Sequence, residues 1–331
     1  MWLTIHRGAE QIGGSCLEIE HESKRLIIDL GLPLDAGLKE TPLPAVKGLV
    51  DYTPDLLGLV ISHAHLDHYG LMAKISPHVP ILIGEGASRI LAASRTLFAD
   101  TKEIEQQHTL QNKRTIHLGP FTITPYLIDH SAYDAFGLTV DAGGKRLLYS
   151  GDFRAHGRKA KLFERLVSNP PDNIDVMLME GSTIGRTDEG NSYPSEQQLE
   201  TCFIDIFKRA EGLTLVWASG QNIDRLVTLY KACRKSGKKL IIDMYTANIL
   251  RNIGNPRLPQ PGWRDLFVFL PQSQRRIIKE RKLFTLAKSF AHCRIFPERL
   301  RERSGRAVML FRPSMARDIE QAECIGNAFL I

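Results

Sequence analysis

The sequence predicts an α/β protein with two domains, and three features of its 331 residues support that fold class. In the first half, short apolar runs repeatedly end in His or Asp, as buried strands do when they reach the edge of a sheet. In the second half, strand-like and helix-like segments alternate, which is typical of a parallel sheet flanked by helices. A polar, glycine-containing stretch at 184–194 separates the halves, so we predict domains at 1–190 and 191–331.

The first domain contains four strand-like runs that end in candidate ligands. They are 26–28 before Asp29, 57–61 before His63, 124–128 before Asp129 and His130, and 146–151 before Asp152. Because parallel strands bring their carboxyl ends to one edge of a sheet, we expect these ends to meet. Between them, 86–100 predicts an amphipathic helix, and 175–179 predicts one more strand.

The second domain opens with a helix whose boundaries are marked by its sequence. Ser195 is a good N-cap, Gln198 completes a capping box, and Gly212 follows the end of the helix. The segments after it predict, in order, a strand at 213–217, a helix at 222–236 that Gly237 ends, a strand at 239–243, a basic helix at 273–289 and a strand at 307–311.

The motif His-x-His-x-Asp-His at 63–68 places four potential metal ligands within six residues. Imidazole and carboxylate groups suit Zn²⁺. The alternative is a polar loop with scattered histidines, but a chance match to this motif in such a chain is about one in a thousand. The motif therefore predicts a zinc site, and the other strand ends supply candidates for its remaining ligands.

The composition is that of an ordinary globular protein, with 43% hydrophobic and 24% charged residues. No apolar stretch approaches the roughly 20 residues of a membrane span, and the N-terminus does not resemble a signal peptide. The five cysteines form no CxxC pair, which favours a reduced, cytoplasmic setting. We therefore expect a cytoplasmic protein without a membrane partner.

The net charge of +6 is unevenly distributed. Residues 275–306 contain 11 Lys or Arg and three acids, a net charge of +8, so the rest of the chain is close to neutral. A basic segment beside a metal domain favours a polyanionic partner such as nucleic acid. A solvated helix surface is the alternative for each individual residue.

With these residues the chain resembles the metallo-β-lactamase superfamily. The four motifs are Asp29 (first), His63, His65, Asp67 and His68 (second), His130 (third) and Asp152 (fourth). Its softer motifs resemble the β-CASP nuclease branch, which includes ribonuclease J and the mRNA 3′-end-processing endonucleases. These motifs are Gly13-Gly14-Ser15-Cys16, Asp29-Leu30-Gly31, 150–154, Glu180-Gly181-Ser182-Thr183 and Pro194-Ser195-Glu196. The resemblance implies an αββα-type metallo-β-lactamase domain at 1–190 and a partial β-CASP α/β domain with a parallel sheet at 191–331.

The resemblance also implies two Zn²⁺ ions. One would be held by His63, His65 and His130, and the other by Asp67 and His68, with Asp152 between them. Asp29 would orient the histidine loop without touching metal, and Asp67 would accept a proton during attack on a phosphodiester. Ser182 and Thr183 are candidates to donate to a substrate phosphate, although turn capping is the alternative.

The chain departs from the β-CASP pattern after residue 190. Members of that branch normally carry two further histidines, one completing the second zinc and one acting as general acid beside the acidic residue that matches Glu196. After His156, the only histidine here is His292. The resemblance therefore implies a truncated or short form whose second zinc is weakly held. Glu196 also has a local explanation, since a carboxylate in a first helical turn is favoured by the helix dipole.

The sequence thus predicts a zinc-dependent phosphodiesterase, with RNA as the expected substrate and DNA as the alternative. Two alternatives stay open. One is a small-molecule hydrolase on the same fold, such as a thioesterase or lactonase, which would leave 195–331 without an evident purpose. The other is a non-catalytic β-CASP-like nucleic-acid-binding subunit. Under each of these interpretations, a homo- or heterodimer also stays open.

Overall fold

A computed structural model describes residues 1–97, 106–182, 184 and 193–331 of the chain. The chain forms two compact units, Met1–Tyr193 and Pro194–Ile331. Within the described residues, no helix is both long and apolar enough to cross a membrane.

The first unit contains two sheets. The first sheet has the order β1-β2-β3-β4-β5-β6. Its strands are β1 (Trp2–Arg7), β2 (Cys16–His21), β3 (Lys24–Ile28), β4 (Leu56–Ile61), β5 (Ile81–Gly84) and β6 (Gln106–Leu110). The first three are antiparallel, and β3 to β6 are parallel.

The second sheet has the order β11-β10-β9-β8-β7. Its strands are β7 (Ile116–Leu118), β8 (Phe121–Leu127), β9 (Phe136–Ala142), β10 (Lys145–Tyr149) and β11 (Val176–Leu178). Strand β9 is antiparallel to both β8 and β10, so β8 and β10 run in the same direction and end at the same edge. The carboxyl ends of β8 and β10 therefore meet at one edge, as the sequence predicts, although an antiparallel strand lies between them.

The two sheets of this unit pack face to face. Their alternating inward side chains form one buried core, with Leu26, Val60 and Leu82 from the first sheet and Phe121 and Leu138 from the second. The helices are α1 (Leu66–Tyr69), α2 (Glu85–Leu97) and α3 (Ala160–Ser168). Helix α2 packs against β5 and β6, and residues 98–100 of the predicted helix lie outside the described residues. The predicted mixed α/β fold is confirmed for this unit.

The second unit is built on one parallel sheet with the order β14-β13-β15-β12-β16. Its strands are β12 (Thr214–Trp217), β13 (Lys239–Asp243), β14 (Leu266–Phe269), β15 (Ala307–Phe311) and β16 (Phe329–Leu330). The helices are α4 (Glu196–Arg209), α5 (Ile223–Ser236), α6 (Met244–Ile253), α7 (Gln272–Glu280), α8 (Phe284–Ser289), α9 (Pro297–Glu302) and α10 (Ala316–Gln321). The predicted parallel sheet is therefore confirmed.

The helix caps predicted in the second unit occur in the structure, but one predicted helix is interrupted. Ser195 and Gln198 form the capping box of α4, and Gly237 ends α5 in the left-handed conformation. The prediction of a single basic helix at 273–289 is wrong, because the chain forms two helices there, α7 and α8, with a turn between them. Lys282 has φ +56° in that turn, a backbone conformation that a continuous helix cannot contain.

Candidate metal centre

The candidate ligands lie where strands of the two sheets end. Asp29 follows β3, and His63 and His65 follow β4. His130 follows β8 and Asp152 follows β10 in the second sheet. The sandwich brings these strand ends together, so residues up to 123 positions apart in the chain share one site.

Two overlapping groups of side chains are close enough to hold a metal ion. In each group one ligand atom per residue lies within 4.8 Å of the others. The groups are His63, His65 and His130, and His63, His68 and Asp152. The first is the same set that the sequence analysis assigned to one zinc. The second shares His68 and Asp152 with the other assignment. Neither group, among the described residues, includes Asp67, whose Oδ2 is 3.8 Å from Nε2 of His68.

The chemistry of the cluster fits a divalent cation. Nε2 of His63 is buried and has no hydrogen-bond partner among the described residues, which is costly unless an ion or water satisfies it. Nε2 of His130 lies 3.2 Å from Nδ1 of His65. Burial, followed by the charges of neighbouring histidines, holds the pKa of His63 and of His130 well below the usual value. These imidazoles are therefore neutral, the form that binds metal.

His68 is protonated more easily than its neighbours. Burial alone would lower its pKa, but Asp29 and Asp152 outweigh that effect and raise it well above the usual value. Nδ1 of His68 is 2.8 Å from Asp29 Oδ2, and Nε2 is 3.1 Å from Asp152 Oδ1. A carboxylate on each side thus orients the ring, with Nε2 directed toward Asp152.

Asp29 is a fully buried hub that holds the histidine loop. It has φ +59° and accepts four hydrogen bonds. The backbone nitrogen of Ser62 donates to Oδ1 at 2.7 Å, and Ser62 Oγ donates to Oδ2 at 2.8 Å. His68 Nδ1 and Tyr149 Oη donate to the same Oδ2 at 2.8 and 2.7 Å.

Sequence reasoning did not identify Ser62 or Tyr149. Ser62 directly precedes His63, so its position next to the motif was the available signal. Tyr149 is buried at the end of β10. The alternation of side chains along that strand was the available signal that the Tyr149 side chain faces the core. Burial raises the pKa of Tyr149 well above its usual value, with Asp29 adding to the effect. The phenol therefore remains a donor.

The first hairpin holds the histidine loop through backbone contacts. The amide of Ser15 donates to the carbonyl of Asp67 at 3.2 Å, and Gly31 donates to the carbonyl of Ser15 at 2.9 Å. A Cβ at Gly31 would lie 1.7 Å from the Asp67 carbonyl oxygen. Only glycine allows this approach, which gives the Asp29-Leu30-Gly31 motif a physical reason.

The loop that carries His130 is held at both ends. Asp129 accepts a hydrogen bond from the amide of Gly157 at 2.7 Å through Oδ2, and its carbonyl accepts from Arg154 at 2.7 Å. Asp134 Oδ2 accepts from the amide of Gly86 at 2.7 Å, at the start of α2. These contacts tie the His130 loop to the Asp152 loop and to a helix.

A cleft of about 600 Å³ lies beside His68 and Asp152. Asp67, Glu180 and Ser182 also line it. Glu180 Oε1 accepts from the Phe153 amide and Oε2 from Ser182 Oγ, each at 2.6 Å. Burial raises the pKa of Glu180. Glu180 therefore supports the Asp152 loop and faces the cleft, whereas Thr183 lies outside the described residues.

Glu196 belongs to the second unit and has structural partners there. Its side chain is 2% exposed. Arg225 Nη2 donates to it at 3.0 Å, and Thr228 Oγ1 donates at 2.5 Å. These contacts account for its conformation by packing α4 against α5.

Comparisons with known proteins give a family match, several curated relatives and a solved structure of similar fold. A model of the Beta-lactamase superfamily domain matches residues 25–200. Ribonuclease J of Mycobacterium tuberculosis is 25% identical over 256 residues, which are 72% of this chain and 43% of that protein. Ribonuclease J of Helicobacter pylori is 25% identical over 249 residues, 71% of this chain and 35% of that protein. The chain thus spans less than half the length of these curated relatives.

One solved structure is similar over nearly the whole chain. It is a protein of unknown function from Enterococcus faecalis V583, with a TM-score of 0.72 and 19% identity, covering 94% of this chain and 76% of that one. At this identity the similarity shows the fold alone. Together with the ribonuclease J matches, the family match confirms the resemblance found in the sequence and supports the β-CASP nuclease branch.

Proposed function

This chain belongs to the beta-lactamase superfamily, and on that premise we propose that it is a zinc-dependent phosphodiesterase that hydrolyses RNA. The observation that carries the proposal is the pair of His and Asp groups around His63, in a chain whose similarity to ribonuclease J extends over 72% of its length. The second unit would then correspond to a β-CASP-like domain.

In this proposal His63, His65 and His130 hold one metal ion, and His68 and Asp152 hold a second. A bound Zn²⁺ would supply Lewis-acid stabilisation of a phosphoryl oxygen and acidify water. The protein contributes preorganisation, because Asp29 and the Ser15–Asp67 backbone contact fix the ligands before substrate arrives.

Proton transfer is assigned to Asp67, and two other residues that line the cleft, Glu180 and Ser182, are assigned supporting roles. Asp67 is 18% exposed there and would accept a proton from the attacking water. Glu180 has a raised pKa and would hold the Asp152 loop on the side where substrate enters. Ser182 would donate to a substrate phosphate after exchanging its bond to Glu180. The proposal does not use Glu196, because Arg225 and Thr228 already occupy its carboxylate.

RNA binding is assigned to the basic segment of the second unit. Three cations of α7 and the following turn are exposed, and among described residues no ion pair engages them; we call Arg276, Lys279 and Lys282 the α7 cluster. By contrast, Arg275 pairs with Asp318, Arg299 with Glu302, and Arg301 with Glu323. Phe284 and Phe296 are 60% and 48% exposed in the same segment. Cations beside exposed aromatic rings are typical of single-stranded nucleic-acid sites.

The test is cleavage of end-labelled single-stranded RNA by the zinc-loaded full chain, with His65→Ala as the control. We expect chelator-sensitive cleavage that the His65→Ala variant loses, because only two histidines of the first group remain. Cleavage of thioester or lactone substrates with no RNA cleavage would indicate the small-molecule alternative. Zinc binding and RNA binding without cleavage of any substrate would indicate the non-catalytic subunit. Either result would refute the proposal.

A further inference from the structure

The hydroxyl of Ser62 lies between a carboxylate and a candidate metal ligand. Ser62 Oγ is 2.8 Å from Asp29 Oδ2 and 3.1 Å from His63 Nδ1. All three residues are fully buried. No solvent therefore competes for these hydrogen bonds.

The directions of the two hydrogen bonds follow from the available hydrogens. A serine hydroxyl has one hydrogen and two lone pairs, and a carboxylate only accepts. Ser62 therefore donates its hydrogen to Asp29. Its contact with His63 must then be one in which the ring nitrogen donates, so the proton of His63 lies on Nδ1.

This direction determines what the other ring nitrogen can do. With its proton on Nδ1, a neutral His63 has a lone pair on Nε2. That atom is buried and has no hydrogen-bond partner in the part of the chain that the structure describes. His63 also belongs to both groups of candidate ligands. In the proposed site His63 is a ligand of the first ion, so the tautomer of this ring decides whether that ligand set can be completed.

We propose that Ser62 is a positioning residue that holds His63 in the Nδ1-protonated tautomer and so directs its Nε2 lone pair into the metal cluster. This inference rests on the proposed metal site for its functional meaning. The tautomer itself is a property of the metal-free chain. Ser62 acts on His63 through its side chain, whereas its backbone amide separately holds Asp29 Oδ1 at 2.7 Å.

Three variants separate these contacts. Ser62→Ala removes the hydroxyl and keeps the backbone bond to Asp29. Ser62→Thr keeps a hydroxyl and is the conservative rescue. Tyr149→Phe is the matched control, because it removes another donor from Asp29 without touching His63.

The first readout is the histidine tautomer, measured in metal-free protein by two-bond ¹H–¹⁵N NMR correlations. The His63 signal is assigned with a His63→Gln variant. We expect a single Nδ1-protonated form in the parent chain, in Ser62→Thr and in Tyr149→Phe. In Ser62→Ala we expect a mixture of tautomers.

The second readout is zinc affinity for the first equivalent, measured by competition with a chromophoric chelator. Loss of a group that orients a ligand typically weakens metal binding about 10–100-fold, and we expect that loss in Ser62→Ala only. If that variant is unfolded by circular dichroism, Ser62→Cys provides the same comparison, since a thiol is a weak hydrogen-bonding group.

An unchanged tautomer and unchanged zinc affinity in the folded Ser62→Ala or Ser62→Cys variant would overturn the inference. If the parent chain binds no metal, the proposed function fails, and the NMR result still decides the tautomer. A Nε2-protonated His63 in the parent chain would likewise refute the role of Ser62.

Discussion

The different protonation of His63 and His68 predicts that two zinc equivalents release different numbers of protons. The first group contains His63, His65 and His130, and burial lowers the pKa of all three. His68 has a raised pKa because Asp29 and Asp152 outweigh burial. The histidines of the first group therefore carry fewer protons at pH 6.0 than ordinary histidines would, whereas His68 carries a proton that metal must displace.

The expected magnitudes follow from proton linkage. Three histidines with an ordinary pKa of about 6.5 would together carry roughly 2.3 protons at pH 6.0. Zinc would have to displace them, and its affinity would fall about 30-fold between pH 7 and pH 6. For the first equivalent we expect clearly fewer protons released than this, and a weaker dependence of zinc affinity on pH, because burial lowers the pKa of all three histidines. For the second equivalent we expect about one proton and a roughly tenfold weaker affinity per unit decrease in pH.

Isothermal titration calorimetry in buffers of different ionisation enthalpy measures these proton numbers. The control is His68→Gln, which should abolish proton release in the second step and leave the first step unchanged. Working at pH 6.0 limits the contribution from ionisation of metal-bound water, whose pKa is about 7. Release of two or more protons with the first equivalent would refute the assignment of neutral histidines.

Three further predictions concern other parts of the chain. Neutralising the α7 cluster should reduce the slope of log affinity against log salt for single-stranded RNA by about 2. Fluorescence anisotropy measures this slope, and an equal change on replacing Arg299 and Arg301 would contradict the prediction. Gly31→Ala should lower the free energy of unfolding of the first unit by about 3 kcal/mol, measured in urea, because the new Cβ would overlap the Asp67 carbonyl. Gly326→Ala is the control and should be nearly neutral, since Gly326 has open space around it. Glu196→Gln should cost about 3 kcal/mol because the Arg225 guanidinium would face a neutral amide in place of a carboxylate. Zinc content should stay constant, and a loss of zinc would instead indicate a role at the metal centre.

The sequence predicted the elements whose signals are local. The capping box at Ser195 and the glycine stop at Gly237 depend on a few adjacent residues, and both occur in the structure. The break between α7 and α8 was missed because Lys282 adopts φ +56°, and lysine carries no local signal for that conformation. Local chemistry therefore predicts helix starts better than helix interruptions.

The site shows the same division between local and distant information. The motif at 63–68 contains three of the candidate ligands, His63, His65 and His68, and these are easy to identify because they lie within six residues of the chain. The hydrogen bond from Tyr149 to Asp29 joins residues 120 positions apart, and it depends on how the two sheets stack. No residue pattern in either strand encodes that stacking distance.

The shared position of His63 has a consequence for the order in which the cluster can be filled. An imidazole with its proton on Nδ1 offers one lone pair, yet both candidate groups include this ring. The lone pair can therefore coordinate one ion only. The ion that binds first determines which of the neighbouring ligands are left for the second ion. Loading is expected to be sequential and hierarchical, with His65 and His130 completing one coordination sphere before His68 and Asp152 begin the other. The metal content of the purified protein would then depend on the order in which the two sites were filled as well as on their affinities for zinc.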